Sequence, residues 1–252
     1  MSAKAKMDYG MRQYLSFDIE IYNEMQEGDN DLTKIIPSVG AFCTDYENVS
    51  YYEGDPYMSK ETSQKLVKDM MEKVELGYTL FTWNGLSFDL QLLAHYSGMY
   101  EECGKLALNS VDGMFLVVAH KGFFLGLDKV LSGANIEGKL HQVKLNDGTT
   151  MFSMDGSKAP LLWRNKEFSS VKDYLKWDVI QPLKLAYHLE RTKLIRWISN
   201  SGKPNFLRTD MLTVKEALKL SIPDTSWMKE VKPREDFYRW IPEKVLLEEG
   251  VM

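Results

Sequence analysis

Tyr14-Leu15-Ser16-Phe17-Asp18-Ile19-Glu20-Ile21 reads as a strand bound for the core, yet it carries two carboxylates that a buried strand does not ordinarily tolerate. Side chains alternate faces along a strand, so Asp18 and Glu20 share one side while Phe17, Ile19 and Ile21 take the other. Two like charges at the edge of a core are costly unless a cation answers them, and acidic oxygens side by side suit a hard divalent metal. The same pattern also fits an edge strand whose outer face is wet, and this segment alone leaves both readings open.

Outward from that strand, residues 23–31 form an acidic loop. Two β-rich segments follow, 38–43 and 49–52, separated by the polar Thr44-Asp45-Tyr46-Glu47-Asn48, which gives three consecutive antiparallel strands. Leu66, Val67, Met70, Met71 and Val74 recur at helical spacing and Gly77 closes the run, so residues 59–76 read as an amphipathic helix covering one face of the sheet. Residues 78–83 read as a strand that stops at Asn84-Gly85, and 88–96 as a helix. Short helices are expected over 101–108, 112–120 and 127–131. Asp147-Gly148 between the β-prone runs 141–145 and 149–153 signals a hairpin projecting from the body. A long helix over 169–191, interrupted by Pro182, precedes a β-like run at 194–198 and a turn at Gly202-Lys203-Pro204. Beyond it lie a helix over 214–220 and a tail whose Trp227, Phe237, Tyr238 and Trp240 are expected to pack it onto the body. The alternation of strands and helices predicts an α/β fold: a mixed sheet, antiparallel then parallel, flanked by helices, with an inserted β-hairpin.

The 252 residues, 44% hydrophobic and 27% charged, match one ordinary globular domain, taken here as residues 1–200 with an extension, 201–252, packed on it. No apolar run is long enough to cross a bilayer and residues 1–12 do not read as an export signal, so a cytoplasmic chain with no membrane partner is expected. Cys43 and Cys103 make neither a disulfide framework nor a zinc site, which fits a reducing compartment. A net charge of −5 argues against a nucleic-acid coat protein but not against a nuclease, which gathers carboxylates around metal. Lys184, Arg191, Lys193, Arg196, Lys203 and Arg208 face the single acid Glu190 in their stretch, a run readable as a solvated face or as a phosphate-contacting patch.

Asp89, in Asn84-Gly85-Leu86-Ser87-Phe88-Asp89, falls in a first helical turn, where the helix dipole favours its ionised form; it reads as a helix stabiliser or as a further ligand. Ser87 is no nucleophile elbow, because Asp89 stands where the second glycine is needed. Tyr174 and Asp178, four apart, look the same way from the long helix, either as an exposed pair or as part of a site. Trp177 lies off that face and is assigned to the core.

Together, FDxE from Phe17, NGxxFD from Asn84 and YxxxD from Tyr174 give a chain that resembles the DEDD superfamily of 3′–5′ exonucleases, in its tyrosine-bearing branch (DEDDy). In detail it is similar to the proofreading domains of family-B DNA polymerases. The resemblance spans residues 14–178 and includes Asp112 at the head of the helix after the second motif. Where the histidine-bearing branch has its His, this chain has Asp173.

The resemblance implies an RNase H-like fold and a metal set of Asp18, Glu20, Asp89 and Asp178 holding two divalent cations, Mg²⁺ or Mn²⁺. Tyr174 would orient the attacking water, and Asn84 and Phe88 would contact the terminal nucleotide, though Phe88 also reads as core. The implied substrate is the 3′ end of single-stranded nucleic acid, DNA ahead of RNA, and the products are nucleoside 5′-monophosphates. The hairpin at 141–154 would guide the strand. No polymerase motif follows, so a free-standing nuclease, or a subunit working with a polymerase or another replication or repair protein, is expected. An inactive nucleic-acid-binding or scaffolding module and an endonuclease on the same fold are the alternatives.

Overall fold

The computed structural model describes residues 10–25 and 31–252; of the acidic loop read at 23–31, residues 26–30 lie outside the described residues. Five strands form one sheet: β1 (Gln13–Ile21), β2 (Pro37–Cys43), β3 (Val49–Glu53), β4 (Tyr78–Thr82) and β5 (Val111–Asp112). Their order is β3-β2-β1-β4-β5, antiparallel from β3 to β1 and parallel from β1 to β5, the mixed sheet that the pattern predicts. β1 is therefore central, which explains why its apolar positions are buried on both faces.

Helices cover both faces. α1 (Lys60–Glu75) starts at the Ser59 cap, whose side chain accepts from the Thr62 N–H, and buries Leu66, Val67 and Met70. It lies on the Ile19 side, where a Cβ at Gly40 would meet Leu66 at 2.7 Å. The chain continues through α2 (Asp89–Ser97), α3 (Tyr100–Asn109), α4 (Gly113–Lys121), α5 (Leu127–Gly133) and α6 (Ala159–Arg164) to α7 (Phe168–Thr192). α7 packs across β1 and β2 on the opposite face. There the Cys43 thiol approaches the Val179 carbonyl at 3.5 Å, on the side shared by Ala41, Asp18 and Glu20. Among the described residues, no helix is long and apolar enough to cross a membrane.

Among the described residues, two small hairpins complete the β structure: β6 (Gln142–Lys144) with β7 (Thr150–Phe152), and β8 (Leu194–Ile198) with β9 (Pro204–Arg208). The first does not project freely as expected. Its turn is tied down, with the Asn146 N–H donating to Glu167 at 2.7 Å and the Asn146 amide to the Lys166 carbonyl at 3.1 Å.

The tail adds α8 (Val214–Ala217), α9 (Glu235–Tyr238) and α10 (Glu243–Glu248). Phe237 and Trp240 are buried in the core, and the Trp240 indole N–H donates to the Leu86 carbonyl at 2.9 Å. Trp227, by contrast, is 67% exposed and anchors nothing deeply.

Several local expectations are corrected. The helix read from 112 starts at Gly113, because Val111–Asp112 pairs with β4 as a strand too short for periodicity to reveal. Pro182 does not interrupt α7, whose buried face is sustained by packing on the sheet. Trp177 is only half-buried, with the Lys184 ammonium 5.5 Å from its ring centre, because the helix turns that flank toward solvent. The helix read over 214–220 is a single turn. Within the basic run, Lys193 pairs with Glu190 at 2.9 Å, while Arg196, Lys203 and Arg208 are exposed on the β8–β9 hairpin.

The link between β4 and α2 is closely packed. Asn84 takes a positive φ of 75°, and a Cβ at Gly85 would stand 2.6 Å from the Thr82 Cβ. Thr82 is itself buried and bonded to Asp112, so it has little freedom to yield. Gly85→Ala is accordingly expected to destabilise the fold by about 1–3 kcal/mol, read as a lower urea midpoint with unchanged slope. An unchanged midpoint would show that the loop relaxes freely.

Candidate metal centre

The offset between strands creates the site. β4 pairs with β1 only from Gln13 to Ser16, so Asp18 and Glu20 extend past the carboxyl end of β4 into an open crevice. Crevices at the carboxyl ends of strands are where open α/β sheets place ligands. Across from Asp18 and Glu20 on β2 stand Ala41 and Val39, whose modest side chains leave the space above the acids clear. α7 brings Asp178 and Tyr174 over that space from one side, and the first turn of α2 brings Asp89 from the other.

One carboxylate oxygen each from Asp18, Glu20 and Asp178 lies within 4.8 Å of the others. Glu20 and Asp178 are buried and Asp18 half-buried. Asp89 stands outside this close trio but lines the same cleft, a cavity of about 510 Å³ that also takes in Asn84, Phe88, Lys139 and Tyr174. Every residue of the candidate set lines this one cleft. Tyr174 and Asp178 are not an exposed surface pair, since both are buried.

Burial pushes the carboxyls of Asp18 and Glu20 well above the usual carboxylate range, and the charges of their acidic neighbours push in the same direction. Asp178 is raised chiefly by burial, against the pull of Lys139 and Tyr174. Burial also lifts Asp89 to about 7, although hydrogen bonds from its own and Ile19's backbone N–H favour the anion. Tyr174 is raised by burial and by the negative charges of Asp178, Glu20 and Asp18, so its phenol stays protonated at neutral pH. Such a group of buried acids with raised proton affinity suits a divalent cation, which replaces the protons with a stronger charge.

Lys139 is the residue that sequence reasoning missed. Its ammonium lies 3.4 Å from Asp178 and 5.9 Å from the ring centre of Tyr174. Burial alone would lower its pKa, but Asp178, Asp18 and Glu20 overcome that and raise it. No local pattern announces it: Lys139 follows Gly138 in an irregular stretch before the hairpin, and only the packing of that stretch delivers it to the cleft.

Asp112 does not line the cleft. It is buried and accepts from the Thr82 hydroxyl at 3.0 Å and from the N–H groups of Asn84, Leu86 and Phe115 at 3.1, 2.9 and 2.9 Å. Its carboxylate thereby fixes the loop that presents Asn84. The Asn84 side-chain oxygen in turn accepts from the Ser87 hydroxyl at 2.5 Å. Phe88 is half-buried, with its ring at the cleft rather than fully in the core. Asp173 is exposed on the outer side of α7.

No family model matches this sequence, and no curated protein matches it. Among solved structures, the family B DNA polymerase from the hyperthermophilic archaeon Pyrobaculum calidifontis aligns with 82% of this chain at 17% identity and a TM-score of 0.42. The chain spans 28% of the length of that polymerase.

The raised carboxyls set a pH dependence. Between an unfolded carboxyl pKa of about 4 and the higher folded values, the folded state binds more protons, so stability falls as pH rises through that window. In chelator, the melting temperature is expected to fall between about pH 5 and about pH 8, and Mg²⁺ or Mn²⁺ should shrink the fall. His95, His120 and His188, whose proton affinity burial lowers, oppose this trend, so the check is the difference from Asp18→Asn: a fall no larger in the wild type than in that variant would contradict the charge assignment. Lys139→Met should tighten Mn²⁺ binding in a calorimetric titration, because a competing cation is gone; weaker binding would show that Lys139 supports the metal set instead.

Proposed function

We propose that this chain is a metal-dependent 3′–5′ exonuclease that releases nucleoside 5′-monophosphates from single-stranded nucleic acid, with DNA as the preferred substrate. The observation that carries this reading is the convergence of Asp18, Glu20 and Asp178 at the floor of an open cleft lined also by Asp89 and Tyr174. Those four carboxylates would hold two divalent cations, Mg²⁺ or Mn²⁺, which when bound supply an activated water and charge stabilisation for the leaving oxygen.

The protein's own groups do the positioning. Tyr174, held protonated, serves as a hydrogen-bonding group that orients the attacking water and not as a base. Lys139, held cationic beside Asp178, offsets part of the acidic charge and presents a cation to an incoming phosphate. Asn84, on its strained loop, offers an amide to the terminal nucleotide, and Phe88 a ring face to its base. The β6–β7 hairpin precedes the segment that contributes Gly156 and Ser157 to the cleft rim, which supports a role in guiding the strand.

Digestion of 3′-labelled single-stranded DNA and RNA of matched sequence, with Mg²⁺, Mn²⁺ or chelator, tests the reading. Asp18→Ala and Asp178→Ala are expected to remove nearly all activity while circular dichroism stays native, and Tyr174→Phe to lower the rate about 10²- to 10³-fold, the cost of losing one positioned donor. Full activity in the Asp18 variant would end the proposal. Cleavage of a substrate with a blocked 3′ end would establish an endonuclease instead.

A further inference from the structure

The acidic cleft poses a problem for a polyanionic substrate, because its carboxylates repel every phosphate that approaches. A second cavity, about 700 Å³ and larger than the cleft, opens beside it and shares Asn84 and Phe88 as common walls. Its far side is built from Phe124, Lys232 and Arg239. We infer that this groove binds the single-stranded nucleic acid upstream of the terminal nucleotide, with Phe124 stacking on a base and Lys232 and Arg239 meeting the backbone.

Three features support the assignment. First, the aromatic platform is exposed yet braced: Phe124 is 52% exposed, and its ring centre lies 5.6 Å from that of the buried Phe237. Second, the Lys232 ammonium stands 5.7 Å from the Phe124 ring centre and 5.1 Å from that of Phe237, and it makes no ion pair among the described residues. An aromatic face beside a cation is the combination that holds single strands without regard to sequence. Arg239 is partly neutralised by Asp236, which also lines the groove, so Lys232 carries more of the unopposed charge. Third, the segment that supplies both cations is fastened to the cleft itself. The Trp240 indole donates to the carbonyl of Leu86, whose own N–H is bound by Asp112 in the loop that presents Asn84. The Arg234 guanidinium donates to the carbonyls of Leu220 and Ala119, both at 2.6 Å. These bonds hold the groove in fixed register with the acids.

The inference rests on the exonuclease reading, and the two fail separately. Wild type, Phe124→Ala, Lys232→Glu and the charge-matched control Lys68→Glu, on α1, are compared on the p-nitrophenyl ester of thymidine 5′-monophosphate, which has no upstream nucleotide, and on an oligothymidylate of roughly 12 nucleotides. The wild type should prefer the longer substrate. Phe124→Ala and Lys232→Glu should raise KM on it about tenfold or more, leaving turnover of the ester and the Lys68→Glu control unchanged. Equal use of both substrates by the wild type, or equal loss on both by the variants, would overturn the groove. If the wild type hydrolyses neither, the exonuclease reading fails, and anisotropy of the labelled long oligonucleotide in chelator still decides the groove. About tenfold weaker binding by the same two variants, with a shallower salt dependence for Lys232→Glu, supports it. Unchanged binding overturns it.

Discussion

Like charge held at close range is the constraint around which this molecule is built. Asp18, Glu20 and Asp178 bring oxygens within 4.8 Å of one another, with Asp89 on the same cleft and Lys139 as the nearby cation. In a low-dielectric setting such proximity is unfavourable unless protons or metal ions intervene. The surrounding fold has to be rigid enough to hold the acids there. It achieves this by placing them on its most secure elements: the central strand, the long helix crossing it, and a turn pinned by a buried carboxylate.

Asp112 shows how one acid serves another. It is as buried as the cleft acids, but its oxygens are answered by four donors, two of them backbone N–H groups of the loop between β4 and α2. Satisfied in this way, a buried carboxylate is a fastening and needs no metal. The difference between Asp112 and the trio is therefore one of hydrogen-bond supply. Four donors make Asp112 a fastening, whereas among the described residues no such set answers the trio, whose oxygens are left available for a cation.

The tail extends the same logic. Trp240 and Arg234 spend their N–H groups on carbonyls of the body, so the segment bearing Lys232 and Arg239 belongs to the wall of the cleft region and is not an appendage. On the proposed reading, a basic, aromatic wall beside an acidic floor would give a polyanion an attractive approach to a centre that otherwise repels it.

Much of this was legible in the amino-acid sequence. Alternation in Phe17-Asp18-Ile19-Glu20 put two acids on one face, four-residue spacing put Tyr174 and Asp178 on another, and Asn84-Gly85 marked the turn delivering Asp89, because strand and helix periods are local properties. Strand β5, the continuity of α7 through Pro182, the partial burial of Trp177 and the exposure of Trp227 were not, since each is settled by neighbours distant in sequence. Lys139, the fastening role of Asp112 and the Phe124–Lys232 wall also emerge only in three dimensions. They depend on which irregular segments pack together, and irregular segments have no period to read. The sequence by itself thus determined the mixed sheet and its candidate acids. Tertiary structure alone decided how closely those acids crowd and which cations and rings stand beside them.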